Sequence, residues 1–407
     1  MHGQEIIDRA ERLARHSDSS EHYTRTFLTP AHRAAAAQLA EWMRDAGMEV
    51  RVDAIGNVIG IYAGAAADAK MVLTGSHFDS VRNGGKYDGV LGILVPIACV
   101  AELNSRNERL PVAIGVVGFS DEEGARFQTS FLSSRALIGK FDSSVIGKQD
   151  VDGVTLAAAM RDAGLDPDEI RTAAIDPATL AGYVEVHIEQ GPVLLDAGDA
   201  VGVVTSVASG IRYMVRVKGE AGHAGTVPMA RRHDALAAAS EMVLAVEKQC
   251  SAVEAAVGTV GILRVKDATG NVIPREVEFS IDVRAPDDER RTAAEEAVVS
   301  QVERIAKRRG VTLEITRGAH DVKAVSCAPW VQDRLAASVE RHTPGGKAHR
   351  LPSGAGHDAM VMAQVTDVGM LFVRCGAGGV SHNPAETVSA EDAGLARDVL
   401  LDFFRSF

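Results

Sequence analysis

The sequence predicts an α/β protein in which a mostly parallel sheet carries the main domain and a split-βαβ, ferredoxin-like domain is inserted into it. Three observations predict this. β-like runs at 57–62 (NVIGIY), 70–74 (KMVLT) and 111–119 (PVAIGVVGF) surround a segment at about 89–105 that reads as a helix. Strand, helix, strand in that order indicates a βαβ unit, with parallel strands covered on both faces. Roughly 209–320 then runs β-α-β-β-α-β, and the chain afterwards returns to helix and strand segments suited to the first domain. The expected boundaries are 1–208 with 321–407 for the discontinuous main domain, and 209–320 for the insert.

Taken in order, Thr29-Pro30 supplies a cap and a first-turn proline for a helix carrying Leu39, Trp42 and Met43 towards Gly47. Within the insert, IRYMVRVKG at 211–219 alternates as a half-exposed strand. Residues 229–248 place Leu236, Ala239, Val243 and Val246 on one helical face. Strands at about 257–266 and 275–284 flank KDATGNVIPR. Pro286 and Asp287 introduce a helix faced by Ala294, Val298, Val302 and Ile305 and closed by Gly310. VTLEITR at 311–317 is the last strand of the insert. Beyond it come a helix near 328–342, DAMVMAQV at 358–365, the strand VGMLFV at 368–373, and a closing helix begun by Ser389 and Asp392 as a capping box.

Composition narrows the function. Length (407 residues) suffices for two cores. A formal net charge of −12, without a lysine- or arginine-rich block, argues against nucleic acid; a locally basic pocket for a small anion remains compatible with it. Cys99, Cys250, Cys327 and Cys375 lie far apart, so they form neither a disulfide framework nor a thiolate zinc site. The N-terminal MHGQEIIDRAERLARH lacks the apolar core of a signal peptide, and VLGILVPIACVAEL at 90–103 is too short to span a bilayer. A cytoplasmic protein without membrane association is expected.

The chemistry starts in TGSHFDSVRNGGKYDG at 74–89. His77 with Asp79, Asp88, the triple Asp121-Glu122-Glu123, His187 in EVHIEQGP and His382 in GGVSHNPAE each follow a β-like run or lie in a Gly-bounded turn. Loops after parallel strands are the natural place for a site. Histidine and carboxylate donors without cysteine suit a hydrolytic zinc or manganese centre, and an Asp88 that bridges two ions would divide the others into two small sets. Asp79, two residues from His77, suits a carboxylate holding the other imidazole nitrogen. Of Glu122 and Glu123, one would serve a metal and the other would act as base. Plainer readings compete: His187 as a structural histidine, the acidic triple as a solvated helix start, the glycines near Asp88 as turn formers. His32, His233, His342 and His349 lack matching surroundings and read as surface or helix residues.

Together, GSHFDSVRNGGKYDG, FSDEEGARF, VEVHIEQGP, GEAGHAGTVPM and GGVSHNPAE resemble the zinc-dependent amidases of the M20 peptidase-like group. Within that group they resemble the allantoate amidohydrolase and N-carbamoyl-L-amino-acid hydrolase branch, over nearly the whole chain. The resemblance implies two divalent ions per subunit, Zn²⁺ or Mn²⁺. His77 and His187 would hold the first, Glu123 and His382 the second, with Asp88 between them, Glu122 as general base and Asp79 orienting His77. It further implies His223 at the tetrahedral oxyanion, Asn271 and Arg284 on a substrate carboxylate, Gln190 on a ureido group, and backbone amides near that carboxylate from 352–359, which contains Gly356. For Arg284 a solvated strand end, and for Asn271 a turn, are the plainer readings; His357 and Asp358 suit loop support.

The resemblance also implies a homodimer through the insert, which closes as a lid, with His223 and Asn271 reaching the partner's site. MLFVRCGAGGVSHNP, with Arg374 and Cys375, and FSDEEGARFQTSFLSSRALIG resemble allantoate enzymes more than carbamoylases. The expected activity is hydrolysis of the ureido C–N bond of allantoate, a small ureido carboxylate, releasing ammonia and carbon dioxide. N-carbamoyl-L-amino-acid hydrolase or β-ureidopropionase activity is the alternative. A binding protein that has lost its metals and an aminopeptidase are the readings from further afield.

Overall fold

In the computed structural model, which describes residues 2–343 and 346–407, the strands Met71–His77 and Ala113–Phe119 are buried at every position. Strands covered on both faces require this. They belong to the first of two units, made of residues up to Thr205, Cys327–Leu351 and Gly356–Phe407. Its sheet runs in the order Glu49–Val52, Val58–Tyr62, Ala113–Phe119, Met71–His77, Leu180–Ile188, Val368–Val373, Val201–Val207. Among these seven strands the middle four run parallel to one another, and the pairs outside them are antiparallel. The short turn between Val52 and Val58 permits nothing else, because a parallel pair needs a long crossover. Such a crossover is the helix Leu91–Ser105, buried around most of its circumference despite Pro96.

Register then gathers the loops. His77 pairs with Phe119, and Phe372 and Val373 pair with His187 and Ile188, so the parallel strands end level with one another. Segments that begin at Phe78, Ser120, Glu189 and Arg374 therefore leave from one edge of the sheet. The strand Leu180–Ile188 is not among the runs named from sequence, nor is the helix His2–Leu13. Caps read from sequence are present: Thr29 Oγ1 accepts from His32 N at 3.3 Å, and Ser389 Oγ from Asp392 N at 3.0 Å.

The second unit is Ser206–Ser326 with Pro352–Ala355, against the expected 209–320. An antiparallel sheet in the order Leu263–Val265, Glu276–Ala285, Ser209–Lys218, Thr312–Val322 shares one core with the helices Ala235–Ser251 and Asp288–Arg309. Element order is β-α-β-β-α-β, with the run expected at 257–266 split into Val257–Thr259 and Leu263–Val265. Between them, Ser280 Oγ accepts from Ile262 N at 3.0 Å and so interrupts the ladder. The first helix starts later than the predicted 229, because Asp234 accepts from the amides of Leu236 and Ala237 and fixes its first turn. Of the expected face, Ala239 and Val246 are buried and Leu236 and Val243 pack half-buried on the same core, joined there by Ala238, Met242 and Ala245. The second helix buries the predicted Ala294, Val298, Val302 and Ile305, and Gly310 closes it in the left-handed region at φ +66°. Among the described residues no helix is long and apolar enough to cross a membrane.

Candidate metal centre

His77 closes the strand Met71–His77 and His187 lies near the end of Leu180–Ile188. Their side-chain tautomers follow from their neighbours. His77 Nδ1 lies 3.1 Å from the main-chain oxygen of Asp79, and His187 Nδ1 lies 2.8 Å from the carbonyl of Ile188. A carbonyl only accepts, so in both rings Nδ1 carries the proton and Nε2 is left to bind something else. Both Nε2 atoms face Asp88 Oδ1, at 3.8 Å from His77 and 3.4 Å from His187. The other oxygen, Asp88 Oδ2, lies 3.2 Å from His382 Nε2, which is itself 3.3 Å from Glu123 Oε1. Donor atoms of His77, Asp88 and His187 fall within 4.8 Å of one another, and so do those of Asp88, Glu123 and His382. The two groups share Asp88 and divide its oxygens between them.

Spacing and charge both fit divalent cations. Two atoms about 2.1 Å from one tetrahedral ion sit about 3.4 Å apart, which is near the separations seen here and longer than ordinary hydrogen bonds. Glu123 Oε1 is buried without a hydrogen bond of good geometry. Burial pushes His187 down to about 4, so its imidazole is neutral. Burial, then the neighbouring Glu123, push Glu122 well above the usual carboxylate range, and burial raises Glu123 likewise. The facing carboxylates of Asp88, then Glu123, push His382 up to about 10. Burial opposes ionisation of Asp88, yet His382, His187 and His77 together hold it below the usual range. Among the described residues no lysine or arginine pairs with Asp88, Glu122 or Glu123, so the cluster is short of positive charge. The donor set of imidazole and carboxylate suits Zn²⁺ or Mn²⁺.

The acidic triple is not a solvated helix start. Asp121 and Glu122 are buried, and the segment is a turn rather than a helix. Asp79 holds it: Oδ1 accepts from Glu122 N at 3.0 Å and Oδ2 from Glu123 N at 3.3 Å. Its carboxylate also lies 3.4 Å from His77 Nδ1, farther than its own carbonyl does. Asp79 thus orients the imidazole partly through its main chain and spends its side chain on tying Glu122 and Glu123 beside His77. His32, read as a surface or helix residue, is a buried helix residue whose Nε2 donates to Ser120 O at 2.7 Å, just before the triple.

Gln190 sits on the shared carboxylate, its Nε2 3.1 Å from Asp88 Oδ1 and 3.2 Å from Ser381 Oγ. A further group, Glu185 with His187 and His357, also has donor-like spacing. Glu185 is already committed: its carboxylate accepts from Ser76 Oγ at 2.7 Å, Ala359 N at 2.9 Å and Tyr183 OH at 3.2 Å. It shares a strand face with His187 at i, i+2 and holds the Ala359 turn; that spacing was its only signal in the sequence. His357 packs edge-on against His187 at 4.5 Å, and Gly356 precedes it in the first unit.

His223, Asn271 and Arg284 belong to the second unit. There His223 is exposed and pairs with Val272, and Ala224 N donates to Asn271 O at 2.9 Å, which puts His223 and Asn271 on one short ribbon. Arg284 donates to both Asp282 oxygens, at 2.9 and 3.2 Å, and to Gly354 O at 3.0 Å.

Gly89 is where a side chain has no room. At φ +66° a Cβ would lie 2.4 Å from the His77 carbonyl oxygen and 2.6 Å from its ring. The left-handed backbone alone costs a non-glycine roughly 1–2 kcal/mol. Gly89→Ala is therefore expected to lower the melting temperature and to displace His77, measured as a loss of bound metal; a variant that keeps both would show that the loop adapts.

The profile of peptidase family M20/M25/M40 matches residues 73–406. The chain belongs to that family. The family is metal-dependent, in keeping with the donor groups just described. The chain is 38% identical over 431 residues to an allantoate deiminase of Arabidopsis thaliana, covering 99% of this chain and 82% of the other. It is 42% identical over 377 residues to an N-carbamoyl-L-amino acid amidohydrolase of Geobacillus stearothermophilus, covering 93% and 91%. In structure it is similar to an amidase of the hydantoinase/carbamoylase family from Burkholderia multivorans, with TM-score 0.91, 32% identity, and 99% and 97% of the two chains covered. This M20 chain is an amidohydrolase, a hydrolase of C–N bonds outside peptides.

Proposed function

We propose that this amidohydrolase uses two divalent cations, Zn²⁺ or Mn²⁺, to hydrolyse the ureido C–N bond of allantoate. The observation behind the reading is the division of Asp88: one oxygen faces His77 and His187, the other faces His382, whose Nε2 also meets Glu123. Buried Glu122 stands next to both groups. His77 and His187 would hold one cation, Glu123 and His382 the other, and Asp88 both. Bound there, divalent cations supply Lewis acidity and a lowered pKa for water.

The chain's own groups do the rest. Glu122 takes the proton of the attacking water and passes it to the departing nitrogen. Water adds to the ureido carbon, the bond to the terminal nitrogen breaks, ammonia leaves, and the carbamate that remains loses carbon dioxide. Gln190 binds the ureido group, and His223 donates to the tetrahedral oxyanion. Arg284 and Asn271 hold the substrate carboxylate, with amides about Gly356 near it. In this reading the second unit is a lid and dimerisation domain, and His223 and Asn271 serve the site of a partner subunit in a homodimer. Asp282 takes the Nε–Nη2 edge of the Arg284 guanidinium and fixes its plane, which leaves the Nη1–Nη2 edge for a substrate carboxylate. Losing that pair should cost about 1.5–3 kcal/mol, so Arg284→Lys is expected to lower kcat/KM roughly ten- to hundredfold. An unchanged kcat/KM would remove Arg284 from the binding site.

Hydrolysis of N-carbamoyl-L-amino acids is the second reading, favoured by the 42% identity to the Geobacillus enzyme. Ammonia release by Mn²⁺- or Zn²⁺-reconstituted protein separates the two. Allantoate is set beside N-carbamoyl-L-alanine, N-carbamoyl-β-alanine and a dipeptide. Fast release from allantoate alone is the expected result. Preference for a carbamoyl amino acid overturns the substrate and keeps the metal chemistry, and cleavage of the dipeptide alone overturns both readings of the substrate.

A further inference from the structure

Glu386 lies at the end of GGVSHNPAE and is 3% exposed. Among the described residues no lysine or arginine forms an ion pair with it. A buried carboxylate is costly unless its oxygens are hydrogen-bonded, and these are spent in one place. Oε1 accepts from the amides of Tyr87 at 2.9 Å and Asp88 at 3.1 Å, while Oε2 accepts from Ser381 Oγ at 2.8 Å. Ser381 is the residue before His382, and its hydroxyl in turn accepts from Gln190 Nε2, which also donates to Asp88 Oδ1. The bonds therefore close a ring: Asp88 amide, Glu386, Ser381, Gln190, Asp88 carboxylate. The two loops that carry Asp88 and His382, 298 residues apart in the chain at Asp88 and Glu386, are hydrogen-bonded to each other through this side chain.

Neighbouring residues make room for it. A Cβ on Gly85 would sit 2.1–2.3 Å from the three atoms of the Glu386 carboxyl group, so only glycine lets the 84–88 turn close over it. His382 is held at φ +53°, a conformation that a non-glycine residue rarely adopts and that needs its surroundings to impose it. The bond from Ser381 to Glu386 is one such constraint on the residue immediately before it.

We propose that Glu386 is the positioning residue of this centre, fixing Asp88 through its amide and His382 through Ser381, and thereby setting the affinity for the cation that Asp88 and His382 share. The inference rests on the metal-binding reading above. It assigns Glu386 no contact with metal or substrate.

Partners of ligating residues typically change metal affinity about 10–100-fold when removed. Mn²⁺ or Co²⁺ binding to the full-length protein, followed by titration, gives the affinity, and the spectrum of the loaded protein reports ligand geometry. Glu386→Ala is expected to weaken binding of one of the two ions at least tenfold and to alter the spectrum, with the melting temperature of the metal-free protein near that of wild type. Glu386→Gln keeps an oxygen for both amides and is expected to restore affinity to within a few-fold. Asp88→Ala, measured alongside, separates the two levels of inference. Should Asp88→Ala lose metal while Glu386→Ala binds as wild type does with an unchanged spectrum, Glu386 is a plain loop residue. Should Asp88→Ala bind as wild type does, the metal reading itself fails. If Glu386→Ala does not fold, Ser381→Ala decides: weaker binding of one ion supports the proposal, and unchanged binding overturns it.

Discussion

Replacing Glu122 with glutamine is expected to lower kcat by roughly 10²–10⁴-fold, the range of a general base, while metal content stays that of wild type. The substitution is nearly isosteric. The main-chain bond from Glu122 N to Asp79 Oδ1 at 3.0 Å, which holds the turn, does not involve the side chain that changes. Glu122 is 8% exposed and lies beside Glu123, so two carboxylates stand where one proton must be received and delivered. An amide does neither. Metal analysis beside steady-state kinetics reads the outcome. Full activity would remove Glu122 from the chemistry, and a loss of ions with the activity would make it a ligand instead.

The second large effect is at Asp88. Asp88→Asn preserves volume at a position 4% exposed, but turns one of two acceptor oxygens into a donor. Whichever way the amide sits, an NH₂ then faces either His77 and His187 or His382. Only one group keeps a carboxamide oxygen. Bound metal is expected to fall from about two ions per chain to one or fewer, and turnover to fall at least as far as in Glu122→Gln. Retention of both ions with wild-type turnover would mean that Asp88 is not shared.

Much of this was legible because it is local. Apolar runs named the strands Met71–His77 and Ala113–Phe119, and Thr29, Asp287, Gly310 and Ser389 marked helix ends by their own side chains or backbone freedom. His77, Asp88, Glu123, His187 and His382 stood out as donor types after β-like runs or in Gly-bounded turns, and parallel register then gathered them at one end of the sheet. Pairing between distant segments left no local trace. Antiparallel flanks of the sheet, the strand Leu180–Ile188 and the tie from Glu386 to the Asp88 amide are settled by contacts that periodicity does not encode. On Ala235–Ser251 the expected face packs on the core, Ala239 and Val246 fully and Leu236 and Val243 in part, and Ala238, Met242 and Ala245 widen it because small side chains let the helix approach closely. Asp79 was read as an imidazole partner, and only the structure shows its carboxylate bound to two amides 43 and 44 residues away.

The central claim is that Asp88 joins two cations, and Mn²⁺ titration followed by electron paramagnetic resonance tests it most directly. Metal-free protein is titrated to saturation at low temperature. Binding of about two equivalents per chain, with the isolated six-line Mn²⁺ signal giving way to a broad exchange-coupled spectrum as the second equivalent enters, is the predicted result. A single equivalent with an uncoupled signal, or two equivalents that never couple, would contradict it.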